Sequence, residues 1–426
     1  MKKLQKKNNN INRLWRMIAD RQFLAFVLLL FYPFNSSIMD KLFGGAVFQL
    51  VLFAIGIALL APDLKKRISK RTLFVCVLVM VIGSILLTWN SIFDTTLHNA
   101  FQFLIRMLYF ALIPFLLCIN INYNSLKRVI TIYSIEHIIG TAIPVFFPEF
   151  YEKNIVSFLC SGTYRCHTRT ALFYGNNAGL TTNYTTNGCY MAIASIHFAS
   201  LYMKGRRKRY GLLTALSIIA LLVIGKRAHF LFVLFALLVG YITYSRKASG
   251  GVIGYIKKNI KICLILAIAI PGVILISWNI PQVNTTINRI METSQESDIS
   301  NGRTSLYSLA IREWGDSPII GSGWGHYIST SHKEFGWSAG VDYIHSHNDF
   351  LELLCDCGVI GFTVYAIMLL LLIIVSYKQH ISGKNDPFAF MYILFYVIYG
   401  FTGTPLYLIS TFSTMVLSVV MLGEKE

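Results

Sequence analysis

Acidic side chains are scarce in this sequence: 20 Asp and Glu stand against 38 Lys and Arg in 426 residues, and charged types together make up 14%. A soluble globule carries about 25% charge, so this balance excludes one. There is no linker rich in Pro, Gly or Ser and no clear internal repeat, so the chain, residues 1–426, reads as a single integral membrane domain. Cysteine is thinly spread. Cys76, Cys118, Cys189 and Cys263 fall inside apolar runs and read as small apolar residues. Cys355 and Cys357 are two apart on an expected helix and point to different sides, which makes a metal pair improbable. Cys160 and Cys166 are near enough in sequence to close a short disulfide, or to stand as two free thiols.

What is abundant is apolar: hydrophobic residues make up 55%, aromatics 14%, and the mean hydropathy is +0.56. Runs of about 17–25 apolar residues are long enough to cross a bilayer as helices. About twelve occur, near residues 22–38, 42–61, 72–89, 101–119, 129–148, 184–203, 210–225, 228–244, 262–281, 350–376, 387–401 and 406–422. The expected fold is therefore all-α, a polytopic membrane helix bundle, since helices are the spanning form these runs permit. The opening basic stretch with Lys2, Lys3, Lys6 and Lys7 imitates a signal peptide but has no small-residue cleavage site, so the first run is kept as a span.

The net charge of +18 invites a nucleic-acid reading, but its distribution points elsewhere. Of the 38 Lys and Arg, 27 lie in the alternate segments 1–21, 62–71, 120–128, 204–209, 245–261, 377–386 and 423–426, and ten in the opposite ones. This is the positive-inside pattern. It predicts both termini in the cytoplasm and the two longest polar segments, 149–183 and 282–349, on the outside. No nucleic-acid partner is expected.

Segment 282–349 carries eight of the 20 acids, which marks it as structured. Within it, Leu306, Leu309, Ala310 and Trp314 recur at helical spacing, predicting an amphipathic helix over 305–314 with Asn301 and Gly302 at its entry and Gly315 to Pro318 at its exit. Gly321, Gly323 and Gly325 follow, where backbone can turn sharply or approach something closely. A nucleotide loop would need a preceding strand, and none is expected.

The segment closes on His347 and Asn348, then Asp349, Glu352 and Asp356 at the head of an apolar run. An imidazole at a membrane surface can take a proton from a hydroxyl near neutral pH. If a helix begins near Ser346, then His345, Asp349, Glu352 and Asp356 share one face and form a polar stripe descending into the bundle. Acids in that position should be paired or protonated. Arg227, in the outside turn Gly225-Lys226-Arg227-Ala228, and Arg303, at the start of the amphipathic helix, are suited to clamp a lipid-linked diphosphate through charge-assisted bonds. The plainer alternative for both is an interfacial cation among lipid headgroups. Arg106 and Glu136 read as an intramembrane ion pair. Asn176, Asn177, Asn183 and Asn187 suit either a sugar ligand or helix caps and turns.

His347-Asn348, Leu351, Asp356, Gly358 and Gly361, in that order, resemble the signature of the O-antigen polymerase and ligase superfamily. Arg227, Arg303, Pro318, Gly321 and Gly323 are supporting matches, so the resemblance rests on residues 225–361. One departure is Asp356, where that family usually has Glu. The resemblance implies a membrane glycosyltransferase of the GT-C-like kind in the bacterial cytoplasmic membrane, acting on its outer face without metal or other cofactor. The donor would be an oligosaccharide on undecaprenyl diphosphate, bound by Arg227 and Arg303, with His347 deprotonating the acceptor and with Asn348, Asp349, Glu352 and Asp356 in support. A polymerase joining lipid-linked repeat units of a capsule or O-antigen is the favoured member, with room for a chain-length regulator as partner. A ligase passing the glycan to a lipid core or protein is the alternative. A transporter of the same lipid-linked sugars is a different class; it would place polar groups near the bilayer midplane, often in repeated halves.

Overall fold

The computed structural model describes residues 20–43, 46–65, 97–160, 176–244, 303–336, 344–383 and 386–424. These form a helical bundle with no named strand among the described residues. The bundle helices are α1 (Arg21–Phe43), α2 (Ala46–Leu60), α3 (Leu97–Leu117), α4 (Tyr123–Phe146), α5 (Tyr184–Gly205), α6 (Lys208–Ile224) and α7 (Arg227–Tyr244). Two shorter helices, α8 (Thr304–Asp316) and α9 (His326–Ser331), belong to the polar segment. They are followed by α10 (Asp349–Ser382), α11 (Phe388–Gly400) and α12 (Ile409–Met421). Four helices, α1, α4, α7 and α10, are long and apolar enough to cross a membrane. The runs expected at 72–89 and 262–281 lie outside the described residues, as do Asn301, Gly302 and the side chain of Arg106.

Helix α5 is the centre of the bundle. It packs on α4, α6, α7, α11 and α12, and nearly every side chain from Asn187 to Ser200 is buried. Ser195, His197 and Ser200 are among them, each hydrogen-bonded: Ser195 Oγ to Met191 O, Ser200 Oγ to His197 O, and His197 Nε2 to Thr131 Oγ1 at 2.8 Å. Small and polar side chains let helix backbones approach closely inside a membrane bundle, at the expense of hydropathy. The neighbouring α1 is kinked, with Pro33 inside it and Asn35 out of helical geometry. The Pro33 carbonyl accepts from Tyr190 OH at 2.6 Å, and the Phe34 carbonyl from His137 Nε2 at 2.7 Å.

Described residues of the segments expected inside meet at one end. Arg21 pairs with Asp63, Gln22 Nε2 donates to Asn120 O, and Lys65 Nζ donates to Leu117 O. Lys127 bridges Asp386 and Glu424, each at 2.8 Å. The segments expected outside meet at the other end. Ser37 Oγ lies 3.1 Å from Thr182 Oγ1, Tyr151 OH donates to Gly179 O, and Arg303 Nη1 donates to Thr402 O.

Two lengths bear on the site. Helices α11 and α12 have 13 residues each, about 20 Å, well short of the roughly 30 Å hydrocarbon core. Their connection, residues 401–408, is accordingly recessed, with Thr404, Leu406 and Tyr407 buried. Helix α10 has 34 residues, about 51 Å. It exceeds the core.

Candidate active site

The amphipathic helix expected over 305–314 forms as α8, and its buried Leu309 and Ala310 pack with Tyr327 of α9 and Cys355 of α10. Helix α10 then breaks at Gly358, whose φ of 62° and ψ of −170° leave the helix. A broken helix in a membrane must have its freed backbone groups paired within the protein. The segment between α8 and α9 does this. Val359 N donates to Pro318 O at 2.9 Å and Ile360 N to Ile319 O at 3.1 Å, while Ser322 N and Gly323 N donate to the carbonyls of Cys355 and Asp356. The approach is close enough to require glycine on both sides: a Cβ on Gly321 would stand 2.4 Å from Asp356 O, and one on Gly358 2.4 Å from Ile319 O.

The acids above this break are each hydrogen-bonded to another part of the chain. Asp356 accepts from Gly325 N at 2.8 Å, Tyr327 N at 3.0 Å and Tyr407 OH at 3.2 Å. Its carboxylate thus caps the first turn of α9 and ties the 401–408 loop to it. The shorter reach of Asp is sufficient for all three bonds. Glu352 accepts from Ser346 N at 3.0 Å and from His345 Nδ1 at 2.8 Å, holding the turn before α10 against the helix. Asp349 accepts from Leu406 N at 2.9 Å. The helix begins at Asp349 and not near Ser346, so the expected continuous stripe divides into three anchors. Glu352 holds the turn before α10, Asp349 the 401–408 loop, and Asp356 both that loop and the start of α9.

Asn348 caps α10, its Oδ1 accepting from Phe350 N and Leu351 N at 3.0 and 3.1 Å. His347 sits at the apex of the turn so formed, with φ of 57°, one of two described non-glycine residues with positive φ. Ser346 Oγ accepts from Asn348 N at 3.1 Å within the same turn. A left-handed conformation costs a non-glycine residue about 1–2 kcal/mol, and such strain persists where surrounding bonds over-determine it. Burial, then the charges of Arg303, Lys226 and His345, push the His347 pKa down to about 3. The imidazole is neutral at pH 7 and stands in a cationic field.

Arg303 caps the start of α8 and is pinned through Nη1 to Thr402 O at 2.9 Å. Arg227 is the first residue of α7, in the tight turn after α6. Lys226 precedes it, its ammonium 4.1 Å from the centre of the Tyr184 ring. Residue type alone favoured Arg227 in that turn; the field at His347 shows that Lys226 also bears on the site. Tyr407 had no signal in the sequence. It stacks on Trp324 at 4.9 Å and lies 5.4 Å from the His345 ring.

The asparagines resolve towards structure. Asn183 caps α5, Asn177 bonds Gly179 N and Thr141 O, and Asn187 bonds Thr141 Oγ1 and Asn177 O. Cys160 is disulfide-bonded, with its partner outside the described residues. A depression of about 330 Å³ lined by Asp20, Arg21, Gln22, Asp63 and Asn122 lies at the opposite end of the bundle and shares no residue with this group.

A strained histidine turn at one end of an all-α bundle of apolar helices, in the field of Arg303 and Lys226, is the candidate site. A family model described as O-Antigen ligase matches residues 212–366, from within α6 to the upper part of α10. Through that segment the chain is similar to the O-antigen ligase and polymerase superfamily, whose members are membrane glycosyltransferase-like enzymes. No curated protein matches the chain.

Proposed function

We propose that the protein polymerises undecaprenyl-diphosphate-linked oligosaccharide repeat units on the outer face of the cytoplasmic membrane, for a capsule or O-antigen polysaccharide. The observation that carries this reading is the neutral His347, raised on a left-handed turn within the field of Arg303 and Lys226. In the proposed reaction the acceptor hydroxyl attacks the anomeric carbon of the donor as His347 takes its proton. The bond from that carbon to the diphosphate breaks, and undecaprenyl diphosphate leaves with the electron pair. A single displacement inverts the anomeric centre. Arg303, Arg227 and Lys226 bind the diphosphate and stabilise the charge it gains on leaving. Asn348, Asp349, Glu352 and Asp356 position the turn and the outside helices without touching the reacting atoms.

Three observations support the outer-face placement. Arg21, Lys65 and Lys127, from segments that the positive-inside rule assigns to a cytoplasmic face, lie at the opposite end. Cys160 is disulfide-bonded, which suits an oxidising compartment. The cap at Asn348 stands ten residues, at most about 15 Å, beyond the break at Gly358, a height that suits the sugar end of a membrane-anchored diphosphate.

The test is glycan extension by purified protein given an undecaprenyl-diphosphate repeat unit, read as a ladder on a gel, for wild type, His347→Gly and Arg303→Ala. Glycine suits the left-handed turn, so a folded His347→Gly that makes no ladder reports on the imidazole itself. A ladder that survives His347→Gly would sink the assigned base. Transfer to a lipid core or protein acceptor, with no ladder, would establish the ligase. Movement of the substrate between leaflets without transfer would establish the transporter.

A further inference from the structure

Helix α10 carries its own measure of the membrane. From Gly358 to Lys378 it runs twenty residues, about 30 Å, the thickness of a hydrocarbon core. Its exposed apolar belt occupies the same interval: Val359, Ile360, Ile367, Leu370, Leu371 and Val375 are open, and the exposed Lys378 follows. Above the break, Leu353, Cys355 and Cys357 are buried in protein. The lipid-facing part of α10 therefore starts at the break. Glu352 and Asp356 lie above the hydrocarbon.

The turn that mends the break shares this boundary. Ile319 is 64% exposed and Ile320 42%, and both belong to the strip whose backbone pairs with Val359 and Ile360. Two isoleucines open to the surroundings in an otherwise polar segment are costly in water, at about 25 cal/mol per Å² of apolar area. They continue a belt that faces lipid. Trp314, an interfacial residue type, donates from Nε1 to Pro318 O at 3.0 Å and braces the same turn.

We infer that the turn 317–321 is a membrane-seated foot, with Ile319 and Ile320 inserted among acyl chains at the hydrocarbon boundary of the leaflet on the His347 side. The occupant of this surface is bilayer lipid. The foot sets the height of α8 and α9 above the membrane, and through Asp356 and Glu352 the height of the His347 turn. It is independent of which transfer reaction the protein performs.

The test places a bimane label on Ile320→Cys in full-length protein in lipid nanodiscs, with Ile319→Cys as a second position and Ser308→Cys, on the exposed side of α8, as the aqueous comparator. Background from native thiols is taken from the unsubstituted protein. Quenching is measured with a phospholipid carrying a nitroxide near the headgroup and with aqueous iodide. At 319 or 320 the nitroxide lipid is expected to quench several-fold more than at 308, and iodide several-fold less. Iodide quenching at both positions equal to that at 308, with no lipid quenching, would overturn the foot.

Discussion

Alanine at Gly358 places a methyl group where two backbones already touch. The conformation there, φ 62° and ψ −170°, is one that glycine alone adopts freely, and a side chain in it costs about 1–3 kcal/mol. The added Cβ would meet Ile319 O at 2.4 Å and Gly321 N at 2.5 Å, atoms with no rotamer to escape into. Restoring ordinary contact requires the strands of backbone to part by about 1 Å. The bonds Val359 N to Pro318 O and Ile360 N to Ile319 O, at 2.9 and 3.1 Å, would then be lost, at about 0.5–1.5 kcal/mol each. Together these give a destabilisation of about 2–6 kcal/mol. Gly383 supplies the control, since its φ of 68° is also left-handed but nothing lies within 4 Å of its added Cβ. Gly383→Ala should cost only about 1 kcal/mol. The assay is equilibrium unfolding in mixed micelles titrated with dodecyl sulfate, run on both variants with glycan transfer measured in parallel. Gly358→Ala should unfold at lower dodecyl sulfate and lose transfer, while Gly383→Ala keeps transfer. Equal, small shifts in the two would refute the claim that the outside segment mends the helix.

The depressed pKa of His347, about 3 against an ordinary 6.5, predicts no acid limb from this residue near pH 6.5 in kcat/KM. A diphosphate bound to Arg303 and Lys226 offsets their charge, so the limb in kcat should lie at higher pH than the limb in kcat/KM, and Arg303→Gln should move the latter up as well. The same shift has a stability consequence: between pH 6.5 and about 3 the unfolded chain binds a proton that the folded chain does not. His347 therefore costs stability progressively as pH falls through that window, and His347→Gly should flatten this part of the unfolding curve. At the other end of the bundle, Lys127→Met removes the cation 2.8 Å from Asp386, whose side chain is 1% exposed. Stranding that carboxylate should cost about 3–5 kcal/mol; Asp386→Asn in the same chain should recover part of it in the unfolding assay.

The helix over 305–314 was legible beforehand, through its periodicity, and so was the sharp turn or close approach at Gly321 and Gly323. The start of α10 at the Asn348 cap, beyond the expected Ser346, and the break at Gly358 were not, since the break answers to Ile319, far away in sequence. What the acids do was not legible either. Asp356 reaches Gly325 and Tyr407, 31 and 51 residues away in sequence, and Asp349 reaches Leu406, 57 residues away. No spacing rule links such positions. The buried amides at Asn177 and Asn187 have the residue type of a sugar site, but they are taken up by Thr141, Gly179 N and the Asn177 carbonyl.

By itself the sequence determined that the chain lives in a membrane as helices and that its basic residues fall mostly in alternate segments between the apolar runs. Each of these follows from quantities summed along the chain, apolar length and charge, whose energies do not depend on partners. Tertiary structure alone decided that α5 is the buried centre despite its modest hydropathy and that the α11–α12 connection is recessed. It also decided that Lys226 bears on His347 beside Arg303. Those outcomes depend on which helices pack together, and packing energy belongs to pairs of surfaces rather than to runs of residues.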